Sequence, residues 1–140
     1  MSTVELLLSP HPHHVRTARL VGVAAARRAG LPDELVDELR WALGEACSRA
    51  VALHALHAPH VPVKVLLRED TAGLTVEVVD QGPDGLPTVI TDPEAPFEGE
   101  HVDPRVSLAV LTGLVDDIEI TSTDGGTTVR LRWPLPVKLV

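Results

Sequence analysis

"DELVDELRWALGEACSRAVALHALHA" (residues 33–58) decides the fold, because it carries the clearest helical period in the chain. Asp33 stands where a helix cap is expected, and Pro59 and Pro62 stop the pattern at its other end. Apolar residues recur at steps of three and four and predict a long helix with one core-facing stripe. That stripe comprises Leu35, Leu39, Ala42, Leu43, Ala46, Ala50 and Leu53.

The segments on either side of this helix predict strands and one further long helix. Before it, a short apolar run bounded by prolines predicts an edge strand, and an Ala- and Arg-rich helix ends at Gly30. After it, two pairs of Val- or Thr-rich runs with turn residues between them predict antiparallel hairpins, and a short apolar helix stands between the pairs. The predicted elements are strand 2–9, helix 13–30, helix 33–58, hairpin 61–69 with 74–80, helix 106–117, and hairpin 117–123 with 127–135.

This order, β-α-α-β-β-loop-α-β-β, predicts one α+β domain over residues 1–140. Strands of mainly antiparallel sense with the helices on one face make a two-layer α/β sandwich. Residues 81–104 have neither helical nor strand period and are rich in proline and acidic groups. A loop of this length inside a compact domain is typical of a functional lid or a disordered excursion.

Composition excludes several classes of function. The 140 residues carry a formal net charge of −8, so the overall field of the protein repels nucleic acid. No apolar run is long enough to span a membrane, and no signal sequence opens the chain, so we expect a cytoplasmic protein. Cys47 is the only cysteine, which excludes an intrachain disulfide. It has no paired base at a readable spacing, and we interpret it as a small buried hydrophobe.

Glu45 and Arg49 lie one helical turn apart, away from the apolar stripe. Their order and spacing suit a solvated ion pair worth about 0.3–0.5 kcal/mol if it is exposed. The same two residues could instead remain from a nucleotide-phosphate and metal site. The sequence alone leaves both interpretations open.

Two groups of histidines suggest metal binding, but neither is completed by Cys or carboxylate ligands at a suitable spacing. His54 and His57 share a helix face at i, i+3. We therefore interpret these histidines as solvated residues of loops and helix ends, and predict no metal site built from them. The groups are His11, His13 and His14, and His54, His57 and His60.

Three stretches resemble the anti-sigma-factor serine kinases, within the histidine-kinase-like (GHKL) ATPase superfamily. "LRWALGEACSRAV" (39–51) is similar to the family helix in which a Glu lies four residues before an Asn. "VEVVDQGPDG" (76–85) resembles the strand-end Asp-x-Gly box, although an isolated D-x-G is also typical of an ordinary exit from a strand. "SLAVLTGLVDDIEITSTDGGTTVRLRWPL" (107–135) resembles the final helix and hairpin.

The resemblance implies a nucleotide bound between the long helix, the Asp-box loop and the last helix. A strand-end carboxylate would accept a hydrogen bond from the adenine amino group, and Mg²⁺ would need an oxygen ligand on the helix. Glu45 matches the acidic helix position, and in such proteins it would act as the catalytic base for phosphoryl transfer. The other matching positions are Asp80 and Gly82 in the adenine box, with Gly85 as its displaced second glycine, and Thr127 and Thr128 in the Gly-Thr-Thr segment.

The departures from the family pattern fall at the metal and the phosphates. Arg49 stands where the family has its metal-binding Asn, and a guanidinium has no lone pair to offer Mg²⁺. Arg105-Val106-Ser107 replaces a Gly-x-Gly turn, so Arg105 and Ser107 would crowd the phosphates. Our hypothesis is that Arg49 neutralises Glu45 where Mg²⁺ and ATP otherwise would. Alternatively, Arg49 and Arg105 hold the phosphates directly, without a metal.

From the resemblance we predict a cytoplasmic anti-sigma-type regulator that binds a sigma factor or an anti-sigma antagonist, with ATP binding weakened or lost. Mg²⁺ would bind only with ATP, and the resemblance implies a homodimer. The first alternative is an active kinase that transfers the ATP γ-phosphoryl group to a serine of an antagonist. The second is a non-enzymatic interaction module with an unrelated partner.

Overall fold

The computed structural model describes residues 2–82, 110–123 and 125–135, without the side chain of residue 123. It has two long helices and five strands in these segments, together with a short helical stretch at residues 110–114. In chain order they are β1 (Ser2–Leu8), α1 (His13–Ala29), α2 (Asp33–His57), β2 (Val63–Asp70), β3 (Gly73–Asp80), β4 (Ile118–Thr123) and β5 (Gly126–Pro134).

The five strands form one antiparallel sheet in the order β1-β2-β3-β5-β4. The predicted edge strand is β1, and both predicted hairpins are present, as β2-β3 and β4-β5. Because side chains alternate along a strand, each strand of the sheet gives one face to the helices. The predicted α+β sandwich is therefore confirmed.

The core lies between the helices and the sheet. Leu39 and Leu43 of α2 are completely buried, and burial of each leucine contributes about 1.5–3 kcal/mol. Across the sheet, Val65, Val78 and Val129 lie in register on the face that the helices cover. Small and medium aliphatic side chains thus fill most of the core, as the scarcity of aromatic residues predicts.

Helices α1 and α2 pack closely because a glycine faces the contact. A Cβ atom at Gly22 of α1 would collide with the side chain of Leu43 in α2. Gly30 ends α1 in the left-handed conformation with φ 88°, and its backbone N–H donates to the carbonyls of Ala26 and Arg27. The predicted end of the first helix is confirmed.

Asp33 does not cap α2. The cap position is taken by Pro32, no side chain caps the helix, and Asp33 is the first helical residue. Proline suits this place because it lacks the backbone N–H that a helix start leaves unpaired. Asp33 and Glu34 still favour the helix through their negative charge in its first turn.

Two predicted elements lie partly or mostly outside the described residues. Of the predicted loop 81–104, only residues 81 and 82 are described. Of the predicted helix 106–117, residues 110–114 are helical, and Leu111 and Val115 are buried against the core. Whether the loop acts as a lid stays a prediction.

Candidate functional site

The candidate site lies where the second half of α2 crosses the ends of β3 and β5. Asp80 is the last residue of β3, and it pairs in register with Thr127 near the start of β5. Arg49 of α2 reaches this strand end from the helix layer. The site therefore faces the helices and not the open side of the sheet.

A buried ion pair joins α2 to β3 at this point. The Arg49 Nη1 atom donates to Asp80 Oδ2 over 2.8 Å, and only 1% of either side chain is exposed. The other carboxylate oxygen, Oδ1, accepts the backbone N–H of Gly82 at 3.0 Å. Both oxygens of Asp80 are thus engaged by the protein.

The interpretation of Arg49 as part of a solvated surface pair is wrong. Arg49 lies three residues after Ala46 and four before Leu53, both of which are buried, so helical spacing turns it toward the core. It donates to Asp80, a partner that sequence spacing did not indicate because the two residues are 31 positions apart. Glu45 is half-buried and makes contacts of its own, and its predicted pairing with Arg49 stays a prediction.

The interpretation of His54 as a solvated histidine is also wrong. Its side chain is completely buried on α2, and both ring nitrogens are engaged. The Nδ1 atom lies 2.7 Å from the Val61 carbonyl oxygen, and Nε2 accepts the backbone N–H of Gln81 at 2.8 Å. A carbonyl can only accept, so the ring is the neutral tautomer with its proton on Nδ1. His54 therefore fixes the backbone of the predicted adenine box.

A signal for His54 was available in the sequence. It lies four residues after Ala50, within the apolar stripe of α2, and this spacing places it on the core face. Its acceptor and donor come from the α2–β2 connection and from the end of β3, which only the folded chain brings together.

The two threonines of the Gly-Thr-Thr segment point to opposite faces of the sheet, because consecutive side chains of a strand alternate. Thr127 is 1% exposed on the helix side, and its hydroxyl lies 3.3 Å from the hydroxyl of Ser122. Thr128 pairs with Val79 and lies with it on the helix-free face. The fold thus groups Thr127, and not Thr128, with Arg49 and Asp80.

The glycines around the site differ in backbone conformation and in the space around them. Gly82 is buried and does not adopt positive φ, and a Cβ atom there would come within 3.1 Å of Leu53 Cβ. Gly126 has φ 142°, and a Cβ atom at this position would collide with the Asp80 carbonyl. Close packing of β5 on the end of β3 therefore requires glycine at position 126. Gly85, Arg105 and Ser107 lie outside the described residues.

A small open pocket of about 190 Å³ lies at this end of the sheet. Val79, Thr121 and Thr128 place much of its wall on the helix-free face, away from the ion pair. Small-molecule sites are usually about 300–1,000 Å³, so the described residues alone do not form a full nucleotide pocket. The pocket is lined by Val79, Asp80, Gln81, Thr121, Gly125, Gly126, Thr127 and Thr128.

The donor set at the expected metal position does not suit Mg²⁺. The guanidinium of Arg49 has only hydrogen-bond donors, whereas Mg²⁺ requires oxygen ligands. Within residues 2–82, 110–123 and 125–135, no group of three or more His, Cys, Asp or Glu side chains could hold a metal ion. Arg49 therefore does not supply the metal ligand that the resemblance implies at this position.

Cys47 is buried on α2, as its sequence context predicts. We expect native Cys47 to resist thiol reagents, because burial raises the pKa of its thiol to about 12 and keeps it protonated. Reaction with a chromogenic disulfide at about pH 8, before and after unfolding, measures this, since only the thiolate attacks. Stoichiometric reaction of the native chain would contradict the prediction.

The raised pKa of Cys47 also predicts that the free energy of unfolding falls as the pH becomes alkaline. The unfolded thiol titrates near its ordinary value of 9.0, so above that pH the unfolded chain holds fewer protons than the native chain. The contribution of Cys47 to the free energy of unfolding is fully present below pH 9.0 and declines as the pH rises toward about 12. Cys47→Ala should lack this part of the decline.

An antiparallel five-stranded sheet covered on one face by two long helices is the fold expected of a histidine kinase-like ATPase domain. Residues 8–133 match the family described as the histidine kinase-like ATPase domain, and the chain belongs to that family. The resemblance to the GHKL superfamily is thereby confirmed. None of the curated proteins matches the sequence. No described helix is both long and apolar enough to cross a membrane.

One solved structure with this fold is the crystal structure of the RsbU and RsbW domains of Rv1364c from Mycobacterium tuberculosis. The TM-score is 0.66 at 17% sequence identity, over 94% of the present chain. The present chain spans 31% of the length of that chain. At this identity the likeness concerns the fold.

Proposed function

We propose that this chain is an anti-sigma-type regulator that binds a sigma factor or an anti-sigma antagonist, with nucleotide binding weakened or lost. The family supplies the ATPase scaffold, and the anti-sigma assignment rests on the three stretches of sequence resemblance. In this proposal the ATPase fold is retained, whereas the residues expected to bind Mg²⁺ and the phosphates are replaced.

The single observation that carries the proposal is the buried pair between Arg49 and Asp80. In this pair Arg49, which stands in place of the expected metal ligand, binds the Asp80 carboxylate that the resemblance assigns to adenine recognition. Opening the pair for a nucleotide would leave each buried charge without its partner, and breaking such a pair costs about 3–5 kcal/mol. ATP would have to offset this cost before any net affinity appeared.

The same pair gives the domain a means to stay folded without a ligand. It joins α2 directly to the end of β3, and the Asp80 carboxylate also holds Gly82. A regulator that acts by binding needs its surface to be formed in the absence of ATP. The Arg49–Asp80 pair supports such a state.

Retained kinase activity is the second candidate function. Glu45 keeps its place on α2, one turn before Arg49, and it is only half-buried. In this alternative Glu45 acts as the base toward a serine hydroxyl of an antagonist, and the ATP γ-phosphoryl group is transferred to that oxygen. Arg49 and Arg105 would then hold the phosphates.

Titration calorimetry with MgATP tests the proposal. We expect the native chain to give no Mg²⁺-dependent heat and no rise of its unfolding temperature, because a ligand stabilises only the native state that it binds. Arg49→Asn restores an oxygen ligand at the same position, and we expect MgATP to raise its unfolding temperature more than that of the native chain. Tight MgATP binding by the native chain would refute the loss of nucleotide binding.

Phosphate transfer and partner capture separate the remaining candidates. Transfer of labelled phosphate from ATP to a serine of an antagonist protein, abolished by Glu45→Gln, would establish the kinase. Recovery of a partner that is neither a sigma factor nor an antagonist would favour an unrelated interaction module. Sedimentation of the purified chain tests the homodimer that the resemblance implies.

A further inference from the structure

Trp41 is the most exposed of the large hydrophobic side chains that the structure describes. It lies on α2 with 64% of its surface accessible, whereas Trp133, the other tryptophan, is 3% exposed within the core. An exposed indole forfeits the favourable burial of a large apolar surface. Tryptophan is also the residue type most enriched among the energetic anchors of protein interfaces.

Carboxylates surround Trp41 along the helix. Residues three, four and seven positions away share a helical face, and Glu34, Asp37, Glu38 and Glu45 occupy four such places. Arg40 is the only cation between residues 33 and 45, and it binds Asp37 at 2.8 Å. We call Glu34, Asp37, Glu38, Trp41 and Glu45 the Trp41 surface.

The negative charge of the Trp41 surface comes from carboxylates of α2 itself. Burial raises the pKa of one of them, Glu38, whereas the Trp133 side chain lowers it and the Asp116 carboxylate, which follows the 110–114 helix, raises it.

Helix α1 provides an internal comparison. Leu20 is 62% exposed there, nearly as much as Trp41, but α1 contains four arginines and no acidic residue. Trp41 therefore lies among carboxylates of its own helix, partly offset by Arg40 and by the Arg19 side chain that reaches Gly44, whereas Leu20 lies on a helix without carboxylates. A partner that recognises charge would distinguish them.

We propose that the Trp41 surface docks a basic segment of a protein partner, with a Lys or Arg side chain of that segment lying on the indole. A cation over a tryptophan ring gains about 0.5–2 kcal/mol, and the surrounding carboxylates favour the same charge. Nucleic acid and anionic lipid surfaces carry the wrong sign for this site. The inference deepens the proposed function because it rests on the chain acting by protein binding, but it does not depend on the state of the nucleotide site.

Selection from displayed random peptides tests the inference. Short peptides are selected on the immobilised native chain and counter-selected on Trp41→Ala, which alters only an exposed side chain. The surviving peptides should carry net positive charge, and Trp41→Ala should bind them at least about tenfold more weakly, a loss of about 1.4 kcal/mol. Rising salt should weaken the binding of these peptides, because salt screens the attraction between exposed charges.

Leu20→Ala is the matched control, and it should bind the selected peptides as tightly as the native chain. A blue shift of Trp41 emission on binding, absent from Trp41→Ala, gives a second readout. If no peptide distinguishes the native chain from Trp41→Ala, or if the survivors are neutral or acidic, the inference is overturned.

The oligomeric state and MgATP binding distinguish the docking surface from self-association and from the state of the nucleotide site. A dimer of the native chain that dissociates in Trp41→Ala would make a second copy the occupant and would overturn the proposed partner. Tight MgATP binding together with Trp41-dependent basic peptides would refute the loss of nucleotide binding while the docking surface stands. Absence of both would refute the docking surface and leave the nucleotide proposal intact.

Discussion

Arg49→Ala is expected to lower the free energy of unfolding by about 3–5 kcal/mol. The substitution leaves the Asp80 carboxylate, on a side chain that is 1% exposed, without the guanidinium that lies 2.8 Å away. An uncompensated buried charge is among the few causes that make a single substitution severely destabilising. Chemical denaturation followed by circular dichroism measures the effect.

The double variant Arg49→Met with Asp80→Leu distinguishes the buried charge from simple loss of packing. Replacing both members of a buried ion pair by apolar groups is often neutral, so we expect part of the lost stability to return, reduced by the loss of the acceptor for the Gly82 N–H. Arg40→Ala is the exposed control: it removes a 2.8 Å pair with Asp37 at the surface and should cost about 0–1 kcal/mol. If Arg49→Ala costs no more than Arg40→Ala, the pair does not hold α2 to β3.

His54→Leu is expected to cost about 1–3 kcal/mol, because it removes hydrogen bonds to two partly buried backbone groups, each worth about 0.5–1.5 kcal/mol. The groups are the Val61 carbonyl, 2.7 Å from Nδ1, and the Gln81 N–H, 2.8 Å from Nε2. Leucine preserves most of the buried volume, so the loss reports the hydrogen bonds. Denaturant unfolding gives the magnitude, and amide exchange at Gln81 gives the location.

His57→Leu, one turn later on α2, is the matched control for His54. His57 is exposed, and a surface substitution of this kind usually changes stability by less than about 0.5 kcal/mol. Equal effects of the two substitutions, or unchanged exchange at Gln81 in His54→Leu, would show that His54 does not fix the strand end. Nitrogen chemical shifts of the ring should identify the Nδ1-protonated tautomer.

Local sequence was sufficient for the described elements and for the pairing within each hairpin. The stripe of α2 comes from side chains three and four residues apart, and each hairpin joins strands that are neighbours in the chain. Gly30 ends α1 because few other residues adopt φ 88° without strain. The predicted start of α2 at residue 33 is correct, but its cap is Pro32 and not Asp33, since both residue types are favoured at a helix start.

The candidate site was predicted only in part. Asp80, Gly82 and Thr127 were identified through the family resemblance, and the fold places Asp80 and Thr127 in register. Burial of Arg49 and His54 was missed because polar residues are usually assigned to the surface, although their helical spacing matches the apolar stripe. The sequence thus identified Asp80 and Arg49 as candidate site residues, but not the burial and the partners that determine what their charges do.

The sequence by itself determined the two helices, the two hairpins and the α+β class, because these depend on periodicity and turn residues over short stretches of chain. Only the tertiary structure decided that Arg49 meets Asp80 and that His54 holds Gln81, at separations of 31 and 27 residues. Contacts of this kind depend on how α2 crosses the sheet. That crossing is set by the packing of the whole core, which no local pattern specifies.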